Sequence, residues 1–104
     1  MKQQAAKVEA YLGLGSNLGD REQNLARAMD LLAQRVKIEQ TSSLYVTEPV
    51  DHKDQPLFLN AVCRVRTSLG PEELLGLAKR IEVAMGRKPS FVSGPRPIDI
   101  DILF

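Results

Sequence analysis

The sequence is poor in several features that mark particular classes of protein. It has no tryptophan, only one cysteine, and aromatic residues at just 5% of its 104 positions. A lone Cys63 cannot form a disulfide within the chain or a cysteine-based zinc site, which fits a reducing cytoplasm. No stretch approaches the roughly 20 apolar residues of a membrane span, and the first residues lack the apolar segment of a secretory signal. We therefore expect a cytoplasmic protein that neither spans nor binds a membrane.

The charge balance argues against nucleic acid as a partner. The formal net charge is +1, with 14 basic and 13 acidic residues, so any basic surface must be local. Sheets that bind RNA present stacking aromatic rings beside basic residues, and the chain has only two tyrosines and three phenylalanines. The length is enough for one domain with one core. We expect that domain at residues 7–104, after a loose polar leader at residues 1–6.

Hydrophobic periodicity and turn residues predict six elements of secondary structure. Strands are predicted at about 8–14, 36–47, 58–67 and 98–104, and helices at about 21–34 and 71–86. The order βαββαβ is that of an α+β, ferredoxin-like fold, with an antiparallel sheet and both helices on one face. The other face of the sheet is then free for water, a ligand or a partner.

The last predicted strand carries two aspartates inside an apolar run, "PIDIDILF". Because side chains alternate along a strand, Ile98, Ile100 and Ile102 share one face, while Asp99 and Asp101 share the other. If the isoleucines face the helices, the two carboxylates lie on the open face, with their side-chain stems about 7 Å apart. Two such carboxylates can bind Mg²⁺, which takes few protein ligands and completes its shell with phosphates and water. Alone, however, this spacing fits an acidic pair that is merely solvated.

Positive charge is concentrated just before this strand. Arg87, Lys88 and Arg96 lie in a proline-rich loop. Arginine and lysine suit phosphate oxygens, and arginine can bind them in a bidentate fork. Cations beside a metal-type carboxylate pair indicate a polyphosphate bridged by Mg²⁺. The chemistry would then be phosphoryl or pyrophosphoryl transfer.

Several segments together resemble one enzyme family. "GPRPIDIDILF" resembles the signature of the 6-hydroxymethyl-7,8-dihydropterin pyrophosphokinases of folate biosynthesis. "YLGLGSNLGD", "SSLYVTEPV" and "DQPLFLNAV" resemble the family's first three strands, and "SLGPEELL" resembles part of its second helix. The likeness covers residues 8–104 in the right order. It implies a ferredoxin-like core that transfers pyrophosphate from Mg-ATP to the hydroxymethyl group of the pterin and releases AMP.

The resemblance also implies roles for individual residues. Catalysis would involve Arg87, Arg96, Asp99 and Asp101, of which the two aspartates would bind Mg²⁺. The nucleotide would contact Glu82, Arg87, Lys88, Arg96 and Ile102. The pterin pocket would be formed by Thr47, Pro49, Val50, Phe58 and Asn60. Plainer interpretations remain for three of these residues: an exposed strand position for Asn60, a core position for Phe58 and a solvated helix charge for Glu82.

The chain departs from the family pattern in two respects. Members commonly have an aromatic residue where this chain has Ser93, and Phe91 is a candidate to replace it. The family normally continues beyond the last strand, so we expect a form shortened at its C-terminus. A second hypothesis is therefore a ferredoxin-like module that binds a ligand or partner without turnover. An exposed edge strand also predicts either a monomer or a weak dimer formed by edge-strand pairing.

Overall fold

A computed structural model describes residues 7–49, 55–86 and 95–103, and in these residues it has two helices and five strands. The elements are β1 (Val8–Ser16), α1 (Arg21–Ala33), β2 (Lys37–Thr41), β3 (Tyr45–Thr47), β4 (Phe58–Thr67), α2 (Pro71–Ala84) and β5 (Asp99–Leu103). All paired strands are antiparallel, in the order β2-β4-β1-β5, and β3 also pairs with β4. The prediction of an α+β, ferredoxin-like fold is confirmed.

The prediction of one continuous strand over residues 36–47 is wrong, because the structure has two short strands there, β2 and β3. The break lies at Ser42, whose backbone N–H donates to the carbonyl of Val62 at 2.8 Å. The Ser42 hydroxyl accepts a hydrogen bond from the Val62 N–H, also at 2.8 Å. A side-chain oxygen thus replaces a backbone carbonyl in the ladder and ends regular pairing.

Local hydrogen bonds define where both helices begin. Asp20 caps α1, and its Oδ1 accepts from the backbone N–H of Gln23 at 3.1 Å. Before α2, the Glu73 carboxylate accepts from the backbone N–H of Gly70 at 3.1 Å. Gly86 follows α2 with φ +93°, a left-handed conformation that glycine adopts without strain. The hydrogen bonds at Asp20 and Gly70 agree with the predicted helix starts, and Gly86 agrees with the predicted end of α2.

The core lies between the two helices and one face of the sheet. Alternate residues of β4 are buried, and burial raises the pKa of the Cys63 thiol on that strand. On β5, Ile98 immediately before the strand and Ile100 within it are 0% and 5% exposed. Asp99 is half-buried and Asp101 is exposed, which agrees with the predicted division of this segment between two faces. The helices contribute Leu25, Ala28, Leu32, Leu74, Leu77, Ala78 and Ile81.

The face opposite the helices therefore carries the other alternate residues of β1, β4 and β5, both polar and apolar, such as Gly15, Phe58, Asn60 and Asp99. Strand β1 lies in the middle of these three strands, and β5 lies at one edge of the sheet. Pairing of two copies along that edge stays a prediction. Across the part of the chain that the structure describes, neither helix has the length and apolar character needed to cross a bilayer.

Candidate functional site

A cleft of about 290 Å³ opens on the helix-free face of the sheet. Five of the predicted site residues lie together in it: Thr47, Phe58, Asn60, Asp99 and Asp101. The remaining lining residues are Gly13, Leu14, Gly15, Tyr45, Glu48 and Leu103. Phe58 is only partly buried and lines this cleft, so its plainer interpretation as a core residue is wrong.

The register of the central strand explains how these side chains meet. Gly15 of β1 is paired with Asn60 of β4 on one side and with Asp99 of β5 on the other. Gly13, two residues earlier, is paired with Asp101. Two strand spacings of about 4.8 Å separate Asn60 from Asp99. Since glycine has no side chain, the floor between the amide and the carboxylate is left open.

Asp99 has a basic partner in the segment just before its strand. The Nη1 atom of Arg96 lies 3.2 Å from Asp99 Oδ2, and the two side chains are 24% and 25% exposed. A guanidinium group is therefore held directly beside the cleft.

Asn60 is oriented by hydrogen bonds to β3 and to its own strand. Its Nδ2 atom donates to Thr47 Oγ1 at 2.9 Å and to the Tyr45 carbonyl at 3.2 Å. A longer contact of 3.4 Å joins the same nitrogen to the Phe58 carbonyl. With the nitrogen engaged in this way, the carbonyl oxygen Oδ1 is turned toward the position of Gly15. The amide is thus positioned before any ligand arrives.

Asn17 is a structural residue of the site that no pattern in the sequence predicts. It is 1% exposed, and its Oδ1 accepts from the Arg96 N–H at 2.8 Å. Its own backbone N–H donates to the Arg96 carbonyl at 3.0 Å. Its Nδ2 donates to Gln55 Oε1 and to the Pro56 carbonyl, both at 3.2 Å. One buried amide therefore joins the segment before β5 to the segment before β4.

We expect Asn17→Ala to lower the free energy of unfolding by about 2–4 kcal/mol, because it leaves several buried polar groups without partners. The measurement is urea unfolding followed by circular dichroism. Gln40→Ala, at an exposed position of β2, is the control and should change stability by less than about 0.5 kcal/mol. If both variants unfolded alike, the joining role assigned to Asn17 would be contradicted.

Besides Arg96, which lies beside the cleft, two described residues predicted to contact the nucleotide are not among its lining residues. Glu82 of α2 is 3% exposed, and its Oε2 accepts from the backbone N–H of Ile100 at 2.9 Å. Its Oε1 lies 3.8 Å from Lys79 Nζ. The plainer interpretation of Glu82 as a solvated helix charge is therefore wrong. Ile102 packs partly buried against the core. Nucleotide contact by either residue stays a prediction.

The remaining predicted site residues divide between the described and undescribed parts of the chain. Pro49 is buried just after β3 but is not among the residues that line the cleft. Val50, Arg87 and Lys88 lie outside the described residues. The same holds for Phe91, Ser93 and the residue 1–6 leader, so the roles predicted for these residues stay predictions.

The fold and the cleft together define a ferredoxin-like protein with an acidic site, sized for a small molecule, on the open face of its sheet. The family model for 7,8-dihydro-6-hydroxymethylpterin-pyrophosphokinase (HPPK) matches residues 11–104. The chain belongs to this family, as its sequence motifs predict.

Curated relatives support this assignment. The chain is 48% identical over 96 residues to 2-amino-4-hydroxy-6-hydroxymethyldihydropteridine pyrophosphokinase of Bacillus subtilis, covering 90% of this chain and 58% of the relative. The enzyme of the same name from Aquifex aeolicus is 46% identical over 93 residues, with 89% and 58% covered. A "Folate synthesis bifunctional protein, mitochondrial" of Pisum sativum is 48% identical over 102 residues, with 97% and 20% covered. The chain thus spans little more than half of its bacterial relatives.

Proposed function

We propose that this chain transfers pyrophosphate from Mg-ATP to 6-hydroxymethyl-7,8-dihydropterin and releases AMP. The observation that carries the proposal is the row Asn60, Gly15, Asp99 across three neighbouring strands. In this row, the Asn60 amide and the Asp99 carboxylate lie on opposite sides of Gly15. The amide can recognise a pterin, and the carboxylate can bind a metal–nucleotide complex. The two bacterial relatives carry names that specify a pyrophosphokinase for this pterin.

The residues present fit a magnesium ion. Asp99 and Asp101 offer carboxylate oxygens from one face of one strand. Within residues 7–49, 55–86 and 95–103, no group of three or more metal-binding side chains occurs. That donor set suits Mg²⁺, which usually takes one or two carboxylates and otherwise binds phosphate oxygens and water. When bound, the ion would offset negative charge on the ATP phosphates.

The protein side chains would orient the two substrates for an in-line displacement. Asn60 and Phe58 would hold the pterin, and Thr47 would fix the Asn60 amide. Pro49 and Val50 would add the pterin contacts that the family resemblance implies. The pterin hydroxyl oxygen forms a bond to the β-phosphorus of ATP and gives up its proton to water. The bond from that phosphorus to the oxygen bridging the α-phosphorus breaks, and AMP leaves with the electron pair.

Positive side chains would lower the barrier to this step by offsetting charge on the transferring group. Arg96 is already placed beside Asp99, at 3.2 Å. With a cation held by Asp99, the guanidinium of Arg96 would offer its N–H groups to a phosphate oxygen. Arg87 and Lys88 would add further contacts to phosphates, and Glu82 and Ile102 would complete the nucleotide site.

The proposal is tested by AMP formation from ATP and Mg²⁺, with and without 6-hydroxymethyl-7,8-dihydropterin. We expect AMP only when the pterin is present. A folded chain that forms no AMP would refute the proposed activity and favour a module that binds without turnover. The proposed partners are thus two small molecules, ATP and the pterin.

The cytoplasmic location of the chain stays a prediction, because the name of one plant relative specifies the mitochondrion.

A further inference from the structure

Gly15 lines the cleft directly between Asn60 and Asp99 in the strand register. We propose that Gly15 is a specificity-determining residue of the pterin site, because its missing side chain lets the Asn60 carbonyl oxygen face the cleft as a hydrogen-bond acceptor. This inference rests on the proposed function and extends it to a residue that carries no functional group of its own.

The requirement for glycine at this position is a requirement for space. A Cβ atom on Gly15 would lie 2.9 Å from Asn60 Oδ1 and 3.4 Å from Phe58 Cδ1. The first distance is shorter than real Cβ atoms tolerate, so the amide would have to move. Among the described residues, positive φ values occur at Gly19 and Gly86 but not at Gly15. The backbone conformation of Gly15 would therefore accept a side chain, and only its neighbours exclude one.

Asn60 cannot move away without losing its own hydrogen bonds. Its Nδ2 atom is held at 2.9 Å from Thr47 Oγ1 and 3.2 Å from the Tyr45 carbonyl. A displacement of Oδ1 turns the whole amide group, because the amide is planar, and it breaks these bonds to β3. A methyl group at position 15 would thus both cover the acceptor and loosen the short strand that orients it.

The exposed acceptor selects a particular kind of ligand. No side chain or backbone N–H in the described part of the chain donates to Asn60 Oδ1. A flat heterocycle lying on the glycine floor can supply the missing donor from an N–H on its ring edge, as the amino and amide groups of a pterin do. An analogue that presents only acceptors there covers the amide oxygen without pairing it, and a polar group left unpaired on binding discriminates strongly between ligands.

The test compares two glycine variants of the same strand. The dissociation constant of 6-hydroxymethylpterin is measured by its fluorescence, and that of Mg²⁺ with α,β-methylene-ATP by calorimetry. Gly15→Ala should weaken pterin binding about tenfold or more, since it removes at least one ligand hydrogen bond, and nucleotide binding less than about threefold. Gly13→Ala is the matched comparison, because a Cβ there would meet only the movable Leu103 side chain, at 3.4 Å. Its effect on pterin binding should be clearly smaller.

A double-mutant cycle separates the specific clash from a general loss of stability. Gly15→Ala should lower the melting temperature of the unaltered chain but not that of an Asn60→Ala chain, in which the clashing amide is absent. Equal losses in both backgrounds would overturn the inference, as would unchanged pterin affinity in Gly15→Ala. Both of these results leave the proposed function intact. An unaltered folded chain with no saturable pterin binding would overturn the proposed function and this inference together.

Discussion

Asp99→Asn and Asp101→Asn are each expected to lower the rate of pterin-dependent AMP formation by about a hundredfold or more, as losses of transition-state charge stabilisation typically do. Asparagine keeps the size and much of the hydrogen-bonding capacity of aspartate but removes its negative charge. Both positions line the cleft on the open face of β5. Loss of either charge should weaken the hold on Mg²⁺ and misplace the ATP phosphates.

The control for this prediction is Asp30→Asn, which makes the same change of charge at an exposed position of α1, on the other side of the sheet. That variant should keep the rate of the unaltered chain. The Asp99 variant also removes the ion pair with Arg96, and the Asp101 variant tests the second carboxylate separately. A magnesium titration of α,β-methylene-ATP binding provides a second readout. Normal turnover in the Asp101 variant would contradict the proposed metal site.

The second large effect is expected at Glu82. Glu82→Ala should lower the free energy of unfolding by about 3 kcal/mol, because it leaves the Ile100 N–H without its acceptor inside the protein and opens a cavity. Glu82→Gln keeps an acceptor oxygen for that N–H and should cost about 1 kcal/mol. The Glu82 carboxylate is 3% exposed, so solvent cannot readily replace it.

Urea unfolding of the two Glu82 variants checks this order, and Glu72→Ala serves as the control at an exposed position of the same helix. The control should lose less than about 1 kcal/mol. If Glu82→Ala were as stable as the control, Glu82 would not support β5. Glu82→Gln also separates two roles: a large loss of nucleotide affinity at nearly normal stability would favour direct contact with ATP.

Patterns that depend on neighbouring residues could be predicted from the sequence. The alternation of isoleucine and aspartate from Ile98 to Ile102 predicts which side chains face the helices, and the structure agrees because one buried face fixes the rotation of a strand. The helix starts at Asp20 and Pro71 are likewise local. The order of the elements then leaves one simple antiparallel arrangement of the sheet.

Features that depend on distant partners could not be predicted in this way. Asn17 contacts Arg96, which lies 79 residues further along the chain. The carboxylate of Glu82 meets a backbone N–H of β5, and no local spacing indicates that contact. Gly15 looks like a turn residue in "GLGSNLG", yet its neighbours follow from the sheet register. β2 ends where the Ser42 hydroxyl accepts a hydrogen bond from β4, and the strand propensity of the residues does not predict this end.

The most direct test of the central claim follows the β-phosphorus of ATP. The folded chain is incubated with Mg²⁺, 6-hydroxymethyl-7,8-dihydropterin and ATP that carries a radioactive label at the β position, and the products are separated. Transfer of pyrophosphate predicts that the label appears in the pterin product, together with an equal amount of unlabelled AMP. Label that stays in ADP would show transfer of the γ-phosphoryl group alone, and label that stays in ATP would show no transfer. Either of those results would contradict the account.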